Sequence, residues 1–394
     1  MREAIDPFIE GALPEWDPVI YHESTGYGWR GFTAHGEVLE VKSANGHHAE
    51  VPSEITITHA GAPIARRAVR NDGYIDIDAY LDHFNGAIAR HKKNDHETAL
   101  ALCEAALADV VTLRAQFNRA MILLSLGRWE EGLAAYLNCE QHAPFMRPQV
   151  KCALENGLQP WRGEALAGKK LLLLHAHGFG DTLQMLRYAR PLQDMGAKVR
   201  LEVPPELRRL ADQFAPPLLD VEEPPDYFCP LLHLLHYCKV TPATVDGRAY
   251  ISQARFDWAP HSVRRVGLAW SIGKPSKDDY PREISLVQLA AALGASELHS
   301  MQTQGADEAR RLGIVCHEFR DFTDCAELMM QMDAIVSVDT AALHLAGAIG
   351  HPQVFGLLSY WASWRWTAPW YDNVTLCRQT ATDDWDSALA QIQF

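Results

Sequence analysis

Residues 169–184 read KKLLLLHAHGFGDTLQ. The apolar run within 169–176 fits a strand covered on both faces, the kind found in parallel sheets. Gly178 and Gly180 allow a tight turn, and Asp181 opens a helical pattern that runs to Met195, with Gly196 just past its end. Strand, glycine turn and helix open an α/β unit, and the alternation recurs downstream. Residues 198–203 predict a strand and 206–214 a helix. After an irregular stretch, 266–270 restarts the pattern: helix over 285–293, strand over 298–302, helix over 326–332, strand over 333–338 and helix over 340–349. The simplest parse is two α/β units, 161–258 and 259–394, meeting near 251–262.

Upstream, the character changes. Residues 75–160 are rich in Ala, Leu and Glu at helical spacing. Leu126-Gly127-Arg128-Trp129-Glu130-Glu131-Gly132, followed by Tyr136, Cys139 and Pro144, resembles the second half of a tetratricopeptide repeat. Asn94 to Ala99, then Cys103 and Ala106, echo it about one repeat earlier. Any antiparallel helical hairpin is the alternative. Residues 1–74 hold short β-prone runs at 29–33, 37–41 and 55–58, with Asn45-Gly46 as a hairpin-turn candidate, so a small β-rich module is expected there.

Composition narrows the partners. The chain has 394 residues, with 36 Lys and Arg against 50 Asp and Glu, so 36 − 50 = −14. That balance does not draw a phosphate backbone from a distance, and no long basic run offsets it; no nucleic-acid partner is expected. No uncharged apolar stretch reaches the ~18 residues a spanning helix needs. The opening MREAIDPFIEGALPEWDP carries acidic residues and prolines where a signal peptide has a basic end and an apolar core, so a cytoplasmic location is expected. Eight Cys are scattered without Cys-x-x-Cys or zinc-like spacing, which points to reduced thiols and no metal site.

Four constellations could carry chemistry. His175-Ala176-His177-Gly178-Phe179-Gly180-Asp181-Thr182 lies beyond a strand's carboxyl end, where ligands bind in open α/β sheets. Asp181 there suits either a helix cap or a base accepting a proton from a hydroxyl. Val338-Asp339-Thr340-Ala341-Ala342-Leu343-His344 again runs from strand to helix; amides at Thr340 and Ala341 would suit a diphosphate, and His344 lies one turn on. The polar loop 270–282 brings Ser271, Lys274, Lys277 and Arg282, whose cations could neutralise a departing diphosphate without a metal. Residues 359–371, SYWASWRWTAPWY, set Arg365 among aromatics, as a binding cleft or a seam between domains would.

Together these segments resemble a known family. Gly178-Phe179-Gly180-Asp181-Thr182-Leu183-Gln184 with Arg187-Tyr188, Cys229-Pro230-Leu231-Leu232, Val266-Gly267-Leu268-Ala269-Trp270-Ser271, Ser337-Val338-Asp339-Thr340 with His344-Leu345-Ala346-Gly347, and Trp364-Arg365-Trp366 with Pro369-Trp370-Tyr371 are similar, in order, to tetratricopeptide-repeat proteins bearing a heptosyltransferase-like (family-nine type) glycosyltransferase domain. Departures are His233-Leu234-Leu235 in place of Ser-Leu-Pro, Ile272-Gly273 in place of Gly-Asn, and a shortened 359–369.

The resemblance implies a GT-B fold of two Rossmann-like domains, with the acceptor mainly on the first and a nucleotide-sugar donor mainly on the second. It implies transfer to a hydroxyl without metal or other cofactor. Asp181 falls at the catalytic base. Ser271, Lys274, Lys277, Arg282, Gln302, Asp339, Thr340, Ala341 and His344 fall on the donor side, and His177, Gly178, Gly180, Thr182 and Gln184 on the acceptor side. The helical region would recruit a protein acceptor. The amino ends of the helices at Asp181 and Thr340 would look at each other over a shared gap. The competing reading is an inactive scaffold of the same fold that binds protein partners.

Overall fold

The computed structural model describes residues 21–25, 28–32, 37–42, 54–59, 62–68, 77–109, 111–142, 145–216, 224–252, 262–272 and 282–394. The chain forms two compact units, Met1–Met146 and Arg147–Phe394.

In the first unit, β1 (Tyr21–Thr25), β2 (Gly28–Phe32), β3 (Glu37–Lys42), β4 (Glu54–His59), β5 (Ala62–Ala68) and β6 (Val111–Thr112) form one antiparallel sheet in chain order. The Asn45-Gly46 turn lies outside the described residues, in a β3–β4 connection longer than a two-residue hairpin. Pro144 lies outside them as well.

Two helical hairpins follow, Ile77–Lys92 with His96–Asp109 and Leu113–Ser125 with Trp129–Glu140. They repeat each other at a constant offset. Asn94 and Gly127, 127 − 94 = 33 residues apart, both take positive φ (59° and 76°) in the turn between the paired helices. The same spacing relates buried Ala87 to Ala120, Ala99 to Gly132, Cys103 to Tyr136 and Ala106 to Cys139. The small residues sit at the helix crossings: a Cβ on Gly132 would come within 2.8 Å of Leu124 Cγ. Thr112 caps the second hairpin, its hydroxyl accepting from Ala115 N at 3.0 Å.

In the second unit, β7 (Lys170–Leu174) lies between β8 (Lys198–Glu202) and β9 (Tyr227–Pro230) in a parallel sheet. A six-stranded parallel sheet follows, built from β10 (Arg265–Ala269), β11 (Glu297–Ser300), β12 (Val315–Cys316), β13 (Ala334–Val338), β14 (Val354–Leu358) and β15 (Val374–Arg378). Its spatial order is β12-β11-β10-β13-β14-β15. Counted from its own first strand this is 3-2-1-4-5-6, the doubly wound order that reverses between β10 and β13. β13 (AIVSV) and β14 (VFGLL) are buried at every position, as a sheet covered on both faces requires. Val266, Leu268, Val336, Leu357 and Trp385 join one core beneath it.

The helix expected over 181–195 is broken into Phe179–Met185, a 3₁₀ turn Leu186–Tyr188 and Ala189–Asp194, which brings Pro191 into a new first turn instead of a helix interior. The helix expected from 326 starts at Phe322, because Asp321 caps it by accepting from the Thr323 and Asp324 amides. No helix among the described residues is long and apolar enough to cross a membrane.

Candidate active site

The chain leaves β10 and β13 on the same sheet edge, at the point where strand order reverses. A cleft of about 740 Å3 opens there, within the roughly 300–1,000 Å3 common for small-molecule sites. It draws residues from both halves of the unit: Gly178, Gly180 and Asp181 from the start of the helix after β7, and Ser271, Arg282, Gln302, Asp339, Thr340, Ala341, His344 and Arg365 from the six-stranded half.

Asp181 sits at the third position of its helix, two residues deeper than the sequence pattern placed it. Gly178 is the cap and brings no side chain, so the Asp181 carboxylate reaches back and accepts the Gly178 N–H at 3.1 Å. Its other oxygen takes the Arg365 guanidinium at 2.5 Å. Burial pushes the Asp181 carboxyl up, but Arg365 first, then His177, His344 and the Gly178 N–H, outweigh it and hold it below the usual carboxylate range. The magnitudes agree in sign. A close ion pair attracts by about 4 kcal/mol at an effective dielectric near 20, enough to offset a partial dehydration cost of similar size. Asp181 is therefore an ionised acceptor, with one oxygen occupied by a cation.

The helix Ala341–Ala348 begins directly after β13, with Thr340 as its cap residue in extended conformation. The Thr340 hydroxyl turns to Ser337 Oγ at 3.2 Å and does not cap the helix, so the backbone of the first turn lines the cleft. His344 is buried. Its Nδ1 lies 3.0 Å from the Tyr371 hydroxyl, its Nε2 3.7 Å from Asp339 Oδ1, and its ring stacks on Trp366. Burial drops the His344 imidazole to about 4, against the smaller upward pull of Asp339 and Asp181, so it is neutral near pH 7. Arg282 donates to the Asp339 carbonyl oxygen at 3.1 Å and thereby ties the end of loop 270–282 to the β13 edge.

The two helix ends do not leave a gap between them. A Cβ on Gly180 would stand 2.7 Å from His344 Cδ2 and 3.6 Å from Ala341 Cα. The ends touch, and the cleft opens beside the contact. Gly180 is what permits this approach, with Asp181 one residue away and Ala341 on the facing helix.

Gln302 works as a clamp. Its Oε1 accepts from Trp270 N (2.8 Å) and Ser271 N (3.2 Å), while Nε2 donates to Ser271 Oγ and to the Gln304 carbonyl oxygen. It fixes the backbone leaving β10 against β11. Lys274 and Lys277 lie outside the described residues. On the acceptor side, Gly178 and Gly180 line the cleft, whereas Thr182 and Gln184 are buried behind the helix, Thr182 Oγ1 lying 2.7 Å from His175 Nδ1. His177 is half-buried near Asp181.

Sequence reasoning placed Arg365 among stacking aromatics and missed its ion pair with Asp181. The seam it offered for 359–371 is present, and its partner in the first half is Arg187. Arg187, from the first half, packs within 4.4 Å of the Tyr250 ring centroid and donates to the Trp370 carbonyl oxygen at 3.1 Å. Gly347 leaves room for the Tyr371 ring, which a Cβ there would overlap. The aromatic segment is thus both seam and cleft wall. The signal was the density of Trp in 359–371; the partner across the chain carried no local mark. Among the described residues, no group of three or more His, Cys, Asp or Glu could hold a metal ion.

Residues 314–387 match the family model of glycosyltransferase family 9 (heptosyltransferase). The match spans Asp339, Thr340, His344 and Arg365. Protein FlbA of Caulobacter vibrioides is 25% identical over 370 residues, covering 79% of this chain and 60% of the relative. The chain thus spans about 60% of the length of the curated relative it matches. Two solved structures are similar to part of this chain. A family 9 glycosyl transferase from Veillonella parvula DSM 2008 is 8% identical, with a TM-score of 0.39 over 59% of this chain and 92% of that one. The dodecameric iron-containing heptosyltransferase TibC, solved with ADP-D-beta-D-heptose, is 13% identical, with a TM-score of 0.39 over 58% and 74%.

Proposed function

We propose that this chain is a GT-B glycosyltransferase that moves a sugar from a nucleoside-diphosphate donor to a hydroxyl acceptor. The observation that carries this reading is the shared cleft. An ionised Asp181 and the amino end of the helix Ala341–Ala348 line one cavity at the reversal point of a doubly wound sheet. A carboxylate there can take the proton of an attacking hydroxyl as the sugar–phosphate bond breaks. Helix-end amides at Thr340 and Ala341, with Arg282 and the loop lysines, would meet the growing charge on the diphosphate in place of a metal. His344, neutral and held by Tyr371, shapes the base of that site.

The helical hairpins, one residue short of the about 34-residue tetratricopeptide period, would present a protein acceptor. The family model over 314–387 supports the donor side of this reading. The first test is a thermal-shift screen of UDP, GDP, ADP, CDP and dTDP and their sugar conjugates. One base is expected to raise the melting temperature in a concentration-dependent way, because a ligand that binds only the native state adds to its stability. No shift with any of them would favour the scaffold reading, in which the hairpins carry the function.

A further inference from the structure

We propose that Arg365 is the positioning residue of Asp181, fixing the orientation of its carboxylate at the cleft. This rests on the reading of Asp181 as the base. The geometry is specific. Gly178 N–H and Arg365 grip different oxygens of the same carboxylate. The Gly178 bond is local to the helix end and holds one oxygen. The Arg365 contact comes from the other half of the unit and holds the second. Arg365 is itself braced: its guanidinium lies 4.8 Å from the Trp364 ring centroid and Nη1 is 3.3 Å from Ser363 Oγ. Both partners are about one-fifth exposed, so water screens the pair little. The base is thus completed only when the segment Trp364–Thr367 docks against the first half.

Other groups face Asp181 and weigh on its protonation. His344, on the helix Ala341–Ala348, and His177, in its own loop, both favour the ionised form. Glu206 on the helix Pro205–Ala211, Asp339 after β13 and Arg282 line the same cleft. Arg365 is the strongest of the groups that hold the carboxyl down.

The test is a cycle of Arg365→Gln, Asp181→Asn and the double variant in the full chain, with sugar transfer followed across pH. Arg365→Lys keeps the charge but loses the planar guanidinium that reaches Asp181 through Nη2 and Ser363 through Nη1. Arg365→Gln is expected to lower kcat on the order of 100-fold, as a misplaced reacting group does. It is also expected to move the acid limb of the kcat/KM profile to higher pH, since the freed carboxyl protonates more readily. Arg365→Lys is expected to restore the limb and recover only part of kcat. In the Asp181→Asn background, losing Arg365 should cost little more.

An unmoved acid limb in an active Arg365→Gln enzyme, or losses that multiply in the double variant, would overturn the proposal. Circular dichroism and melting of each variant separate these outcomes from misfolding: in a folded Arg365→Lys enzyme an undiminished kcat would overturn the proposal, and a reduced kcat with an unshifted limb would support it. A wild-type chain that neither binds a nucleoside diphosphate nor transfers sugar would sink the underlying reading, and this inference with it. An active wild type with a multiplicative cycle sinks this inference alone.

Discussion

Gly180 is the residue on which the cleft's shape turns. Its hydrogen stands where a methyl group would meet the His344 ring at 2.7 Å, and that ring cannot retreat, being held by the Tyr371 hydroxyl and stacked on Trp366. Two helix ends can touch only because one of them lacks a side chain there. Gly180→Ala is expected to cost about 1–3 kcal/mol, the range for overfilling a packed contact. Gly178→Ala is the control. A Cβ at Gly178 would make an ordinary 3.4 Å contact with Asp181 Oδ2, and its backbone φ of −73° suits any residue. It should stay within about 0.5 kcal/mol of wild type. Urea unfolding of the two variants checks both numbers.

At the scale of elements, the sequence was readable wherever one strand or helix declared itself locally. The run at 171–174, the buried strand ending in Val338 and the helix after Thr340 were all visible as periodicity and glycine punctuation. Helix starts were less legible. Asp181 and Asp321 are both acidic residues at helix ends, yet Asp321 is the cap, while Asp181 lies inside with glycine capping before it. Only the backbone geometry distinguishes these roles. β14 and β15 were not foreseen, although Val354–Leu358 is a short apolar run of the buried-strand kind. Within β15, exposed Thr375 and Leu376 at the sheet edge weaken any such pattern. The site was half legible. The carboxylate and the facing helix could be named one by one, but contacts such as Arg365 with Asp181 join positions far apart in the chain and leave no trace in local spacing.

Across the whole molecule, several histidines are held neutral by burial. His344 and His91 fall to about 4, and His175, His299, His317 and His351 are also lowered, each chiefly through loss of water. In the unfolded chain these groups titrate near 6.5. A depressed imidazole contributes its full stability above that pH and loses it as pH falls toward the folded value, because the unfolded state binds more protons. His344 alone would account for about 3 kcal/mol between pH 6.5 and 4. The melting temperature is therefore expected to hold above pH 6.5 and to drop steeply from there to pH 4. His344→Gln should flatten part of that slope. A melting temperature unchanged down to pH 4.5 would contradict this account of the core.

The claim beneath the rest is that Asp181 takes a proton beside a donor held at the helix Ala341–Ala348. The most direct measurement is the paired behaviour of Asp181→Asn: its thermal shift with the donor identified by the nucleotide screen, and its rate of sugar transfer. The account predicts an undiminished shift and a transfer rate reduced roughly 100- to 10,000-fold, the range for loss of a general base. A variant that binds donor and transfers sugar at the wild-type rate would contradict it.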